Sequence, residues 1–195
     1  MDNLEFNVES GVTVARDRMI AYLNTGTSAA PVWSPIGKRV EDSSMELDWS
    51  TETSTDILGN NFTTGKKATR TQTFDPWNLD GGDEAQKKIW NLAIKDNDVN
   101  KLLNQDMLIA HFYAGGSAEG AGNFAERYAS CSVLPTSLGG EGGGSVGMSI
   151  EVTYGGERTL GTVSKGADGA VTFTPEAEAA SASYSARSAS RLGER

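Results

Sequence analysis

One cysteine, one histidine and no apolar run of membrane-spanning length set the first limits on this 195-residue chain. A lone Cys131 excludes an internal disulfide and suits a reducing compartment. With one His and one Cys, a zinc site of the usual nitrogen and sulfur type cannot be assembled, and no cofactor is expected. Positive charge is also short. Seventeen Lys and Arg face 26 Asp and Glu, a net charge of −9, which argues against a nucleic-acid clamp with its basic stripe. No stretch approaches the roughly 18 apolar residues of a membrane span. The opening MDNLEFNVES has neither the basic nor the apolar region of an export signal, so no membrane partner is expected. What remains is 37% hydrophobic residues, enough for a real core in one domain with appendages.

Glycine is plentiful, with six in the ten residues LGGEGGGSVG (138–147). Gly142, Gly144 and Gly147 have the spacing of a dinucleotide-binding loop. Such a loop must open a helix whose free N–H groups hold the pyrophosphate. Here it runs into Met148-Ser149-Ile150-Glu151-Val152-Thr153-Tyr154, an alternating, strand-like segment. The glycines therefore read as a turn between strands.

Most other signals are β as well. Ile20–Leu23, Trp33–Gly37, Thr69–Phe74, Phe124–Leu134 and Arg158–Val163 read as strands, with Pro35 confining its segment to an edge or a strand end. Met45-Glu46-Leu47-Asp48-Trp49 alternates most cleanly, three apolar groups against two carboxylates. Met107–Tyr113 is nearly all apolar, as in a strand buried on both faces. One helix stands out at about 83–95: acidic residues in its first turn, then Ala85, Ile89, Leu92 and Ala93 as one stripe beside Trp90 and Ile94. Asp96-Asn97-Asp98 reads as its end. The predicted fold is mainly β, a sandwich or barrel of about seven or eight strands with this one flanking helix.

Three parts are expected: an arm over 1–17, a β-domain over 18–163, and an Ala- and Ser-rich tail over 164–195 too poor in large apolar groups to order itself, apart from a short strand at Val171–Phe173. Within the domain, residues 50–68 read as a protruding hairpin: Asp56–Leu58 and Phe62–Thr64 are its strands, Gly59-Asn60-Asn61 its tip.

Catalytic chemistry is hard to place. A lone strand histidine, His111, is more often a hydrogen-bonded structural residue than a base, and Cys131 reads as a small hydrophobe. Asp96-x-Asp98 and Asp80-x-x-Asp83 do not continue into a calcium loop; capping of the helix accounts for them better. Among the four tryptophans, Trp49 and Trp90 belong by spacing to the core, while Trp33 and Trp77 are freer for partner contacts. No enzyme emerges.

Several segments together resemble the major tail protein, the tail tube protein, of long-tailed, non-contractile bacteriophages. They are YLNTGTSAAPVWSPIGKRVEDSSMELDWS (22–50), DILGN (56–60), TFDPWNLDGGDEAQKKIWNLA (73–93), NQDMLIAHFYAG (104–115), FAERYASC (124–131) and LGGEGGGSVGMSIEVTYGGERTLGTV (138–163). They follow in order over roughly 20–163. The resemblance implies a structural virion subunit that self-assembles into stacked hexameric rings, forming the hollow conduit for viral DNA. It implies tape measure, tail terminator and baseplate proteins as partners, assembly in the host bacterial cytoplasm, and DNA passing without specific binding. Glu46, Asp48 and Glu151 are then the candidates to line the bore, and Gly59, Asn60 and Asn61 the candidates for ring-to-ring contact. The alternative is a β-sandwich module binding carbohydrate or a cell surface, adhesin-like, which would use Trp33 and Trp77.

Overall fold

Apolar–polar alternation makes the strands here, and one long strand joins them into a folded-over sheet. The computed structural model describes residues 4–115 and 122–176. Among these the strands are β1 (Glu5–Phe6), β2 (Met19–Asn24), β3 (Trp33–Ile36), β4 (Val40–Asp42), β5 (Met45–Asp48), β6 (Glu52–Thr55), β7 (Asn61–Thr64), β8 (Thr69–Trp77), β9 (Gln105–Gly115), β10 (Asn123–Gly139), β11 (Gly147–Tyr154), β12 (Arg158–Lys165) and β13 (Val171–Pro175). Two short helices, α1 (Glu84–Trp90) and α2 (Val99–Leu102), lie between β8 and β9. The chain is mainly β with a flanking helix, as its sequence predicts. Thirteen strands stand against the seven or eight expected: β6, β7 and β13, read separately as a hairpin and a short tail strand, add three, and β1 and β4, of two and three residues, are too short to show a period.

Eleven strands form one sheet in the order β3-β2-β9-β10-β11-β8-β4, with β1 on β9, β12 on β10, β13 on β12 and β5 on β8. The 17-residue β10 is the fold line. Asn123–Tyr128 pairs with both β9 and β12, the register shifts between Tyr128 and Cys131, and Ser132–Gly139 pairs with β11. The two halves of the sheet thereby share one core: Leu23, Met107, Ile109 and Tyr128 from one side, Phe74, Trp77, Ile150 and Val152 from the other. Ala85, Ile89 and Leu102 of the helices belong to the same core. Strand β9 is buried on both faces, as its apolar run implies, since Leu108 and Ala110 join a second cluster with Tyr22, Trp33 and Val163. Pro35 lies on β3, which among the described residues pairs only with β2, so its missing N–H breaks no ladder there.

The helix begins where its charges indicate. Asp83 Oδ1 accepts from the Gln86 amide at 3.0 Å, an N-cap. Replacing Asp83 with alanine is expected to cost about 1 kcal/mol; an unchanged thermal midpoint would contradict the assignment. After Trp90 the run continues as a π-turn, Asn91–Lys95. Asp98 differs from expectation: its carboxylate accepts from the Lys101 amide at 3.0 Å and so starts α2 rather than only ending the first helix. Asp80 accepts from the Gly82 amide at 2.8 Å and pairs with Lys38 and Arg39 at 2.9 and 3.1 Å.

The glycine-rich stretch is the loop from β10 to β11, with no helix after it. Gly143 has φ +84°, and a Cβ on Gly140 would lie 2.1 Å from the Ser145 carbonyl oxygen. The glycines close a tight hairpin, and no helix N-terminus follows them to hold a pyrophosphate. At the ends, β1 pairs with β9, while the boundary expected after residue 163 falls inside β12, on which β13 pairs as far as Pro175. Residues 177–195, most of the expected tail, lie outside the described residues.

Candidate assembly interface

The register of β4, β5, β8 and β11 decides which carboxylates stand together. Residues directly opposite in antiparallel strands share a face. Glu46 stands opposite Thr71 and Asp48 opposite Thr69, while Glu151 stands opposite Thr73. Thr69, Thr71 and Thr73 alternate on β8, so all three predicted carboxylates lie on one face, the one turned away from the core. Two acids not singled out in the sequence join them, because Asp42 stands opposite Asp75 on the same alternation. The five are all exposed. Up to Asp75 the remaining positions of this face on β8 are Thr69, Thr71 and Thr73, and on β11 Gly147, Ser149 and Thr153; Trp77, two positions on and opposite Val40, lies in the core instead, and no lysine or arginine of these four strands falls on the face. Like charges opposite one another, such as Asp42 and Asp75, disfavour the isolated sheet. The period of two through Thr-x-Thr-x-Thr-x-Asp (69–75) was the signal that could have added Asp75.

The predicted hairpin forms, with β6 and β7 making a separate two-stranded sheet. Its turn is longer than the sequence implies. Asp56-Ile57-Leu58 belong to the turn rather than to a strand, because the Asp56 carboxylate accepts from the amides of Leu58 and Asn60, each at 2.8 Å, and Gly59 adopts φ +85°. The Asn60 backbone hydrogen bond and its companions hold the Asp56 carboxyl below the usual range. Gly59 and Asn60 are in the turn and Asn61 opens β7, all three exposed. The turn presents the most exposed large apolar side chains of the described residues, Ile57 at 103% and Leu58 at 81%. A lone two-stranded hairpin is marginal in water, and apolar side chains held off the protein body mark a contact surface.

Three of the four tryptophans reverse the sequence reading, while Trp90 packs against the core as expected. Trp33 and Trp77 are buried, in the second and first core clusters respectively. Trp49, expected in the core, is 55% exposed, with Leu47 beside it half exposed. Among the described residues strand β5 pairs only with β8, so its apolar side runs past the core edge beyond Met45. A sugar-stacking platform built on Trp33 and Trp77 is therefore not available.

One cluster of chemistry was missed. Glu126 on β10 is 3% exposed and is bound from four strands. Arg70 of β8 pairs with Oε2, Arg158 Nε of β12 donates to the same oxygen at 2.5 Å, and the Tyr128 hydroxyl donates at 2.9 Å. Oε1 contacts His111 Nε2 of β9 at 3.0 Å. The other ring nitrogen, Nδ1, lies 2.9 Å from the Tyr113 hydroxyl, and Phe124 stacks on the ring. Burial alone would raise the Glu126 carboxyl; the His111 hydrogen bond and the Arg158 and Arg70 charges outweigh it and hold the group down to about 2. This is a charge clasp across the folded sheet, and His111 is part of it. Glu and Arg in the otherwise apolar strand FAERY were its trace in the sequence. Cys131 is buried, its thiol pushed up to about 12 by burial, which suits the inert role expected of it.

No family model matches the sequence, and no curated protein matches it. Solved structures do resemble it in fold. The chain is similar to a component of the sheath–tube complex of an extracellular contractile injection system, PVC, in the extended state: 12% identity and TM-score 0.45, covering 79% of this chain and 95% of that one. It is similar to the sheath/tube terminator of that system, at 12% identity and TM-score 0.47, over 78% and 99% of the two chains. It is also similar to the tube-terminating cap of the anti-feeding prophage, at 15% identity and TM-score 0.45, over 80% and 95%.

Proposed function

We propose that this chain is the structural subunit of a tail tube, assembling with copies of itself into stacked hexameric rings around a bore through which viral DNA passes. The observation that carries the proposal is the sheet face with Asp42, Glu46, Asp48, Asp75 and Glu151, on which no lysine or arginine of β4, β5, β8 or β11 falls. A conduit must let phosphates slide, and each basic contact would hold the polymer through counterion release. A continuous acidic wall repels the cargo and releases it. Ring closure also provides a partner for the edges of β3, β4, β5 and β13, which are unpaired among the described residues and alone would be an aggregation hazard. The tape measure, terminator and baseplate partners, the virion location and the absence of catalysis belong to the same reading.

Electron microscopy of the purified protein at rising concentration tests it: hollow filaments are expected, and a protein that stays monomeric with and without its tail partners contradicts it. A second test addresses the wall. The variant Glu46→Lys/Asp48→Lys/Glu151→Lys is expected to fold normally and to form tubes that retain DNA at low salt, with retention falling steeply as salt rises. Tubes of that variant as indifferent to DNA as the parent would place these side chains away from the bore.

A further inference from the structure

Between the β2–β3 edge and β4 the two halves of the sheet leave a cleft of about 590 Å³. Its lining includes Met19, Ile20, Ala21, Ile36, Val40 and Phe74, an apolar floor that opens to the surface. On its rim the Arg16 guanidinium donates to the carbonyls of Met19 and Ser43, at 2.6 and 3.1 Å. Among the described residues, no carboxylate lies within ion-pair distance of it. The other rim cation, Lys38, is already paired with Asp80, and the acids Asp17, Glu41 and Asp42 also line the cleft, so Arg16 is the rim charge left to receive a carboxylate.

We infer that this cleft is the socket for the hairpin turn of a second copy of the chain, receiving Ile57 and Leu58 while Arg16 meets Asp56. The inference rests on the self-assembly reading above and deepens it by naming both sides of one contact. Three features match. The turn offers two apolar side chains that no described residue covers, and the cleft offers apolar surface. Asp56 is the one charge in the turn and has no cation partner among the described residues, just as Arg16 has no carboxylate. Finally, plug and socket lie towards opposite ends of β8. The hairpin leaves beyond the Asp48–Thr69 pair, whereas the cleft lies against Phe74, beside the Asp42–Asp75 pair. A contact between different surfaces at opposite ends repeats head to tail, and where its rotation does not close it stacks copies along an axis.

Two variants test it. Ile57→Ser/Leu58→Ser removes the plug and leaves the socket; Arg16→Glu/Glu41→Trp blocks the socket at two exposed rim positions and leaves the plug. Each alone is expected to need roughly 100-fold more protein to polymerise, on the apolar burial lost or excluded. Mixed in equal amounts they are expected to make one contact and stop, giving particles two layers thick by electron microscopy and sedimentation. Leu58→Cys mixed with Pro35→Cys is expected to give a disulfide between copies. Normal polymerisation of the plugless or the blocked variant, or a mixture that stays unassembled, overturns the socket while leaving the tube reading intact. A Val14→Cys/Pro35→Cys protein that links within one chain does the same, by showing the N-terminal segment in the cleft. Failure of the parent protein to polymerise overturns the tube reading itself.

Discussion

Replacing Glu126 with alanine is expected to lower the free energy of unfolding by about 3–5 kcal/mol, the cost of leaving buried charges without their partner. Arg70 and Arg158 approach the carboxylate from β8 and β12, so its loss sets two guanidiniums against each other at the fold line of the sheet. The same group gives a pH signature. Its carboxyl is held at about 2, against 4.5 for the free group, so the stabilisation is fully present above about pH 4.5. It disappears as pH falls from there towards 2, a loss of about 3 kcal/mol across that window. Urea unfolding at pH 7 and pH 3 measures both effects. Glu126→Gln keeps the shape but is expected to lose most of this acid-dependent slope. A Glu126→Ala loss below about 1 kcal/mol, or an identical slope in the glutamine variant, would show that the clasp contributes little.

Deleting residues 55–64 is expected to abolish polymerisation and leave a folded monomer. The hairpin can be removed without opening the core because β6 and β7 form their own sheet, and the backbone bond from Lys66 to Trp49 lies at its base. The deletion removes the Ile57–Leu58 plug together with the three tip residues assigned to ring-to-ring contact, Gly59, Asn60 and Asn61. Circular dichroism and sedimentation of the deletion decide the point. Normal tubes would show that rings stack through other surfaces; an unfolded product would show that the hairpin supports the domain. The monomer expected here is also the form in which to measure the Glu126 variants.

What could be read from the residues alone depended on where strand alternation meets a covered face. Met45-Glu46-Leu47-Asp48 announced both a strand and its acidic side, and that side is where Glu151 also stands. Alternation along one strand cannot say how far its neighbours extend, however, and so Trp49 read as core although β5 overhangs it. The reverse error placed Trp77 on the surface because of the loop residues after it, when β8 carries it into the core before the chain turns towards α1. Pairing across long separations is the other blind spot. Glu126 meets Arg70, 56 positions away, and Arg158, 32 positions away; nothing local to FAERY names those partners. The apolar run MLIAHFY was legible because burial on both faces leaves no polar period. The cleft beside β4 was not, since it depends on how two halves of one sheet come together.

The most direct measurement of the central claim is a high-resolution map of the polymer formed by the purified protein. The account predicts a hollow filament whose inner wall presents Asp42, Glu46, Asp48, Asp75 and Glu151 from every subunit. A filament carrying that face on its outer surface, or a bore lined by lysine and arginine, would contradict it.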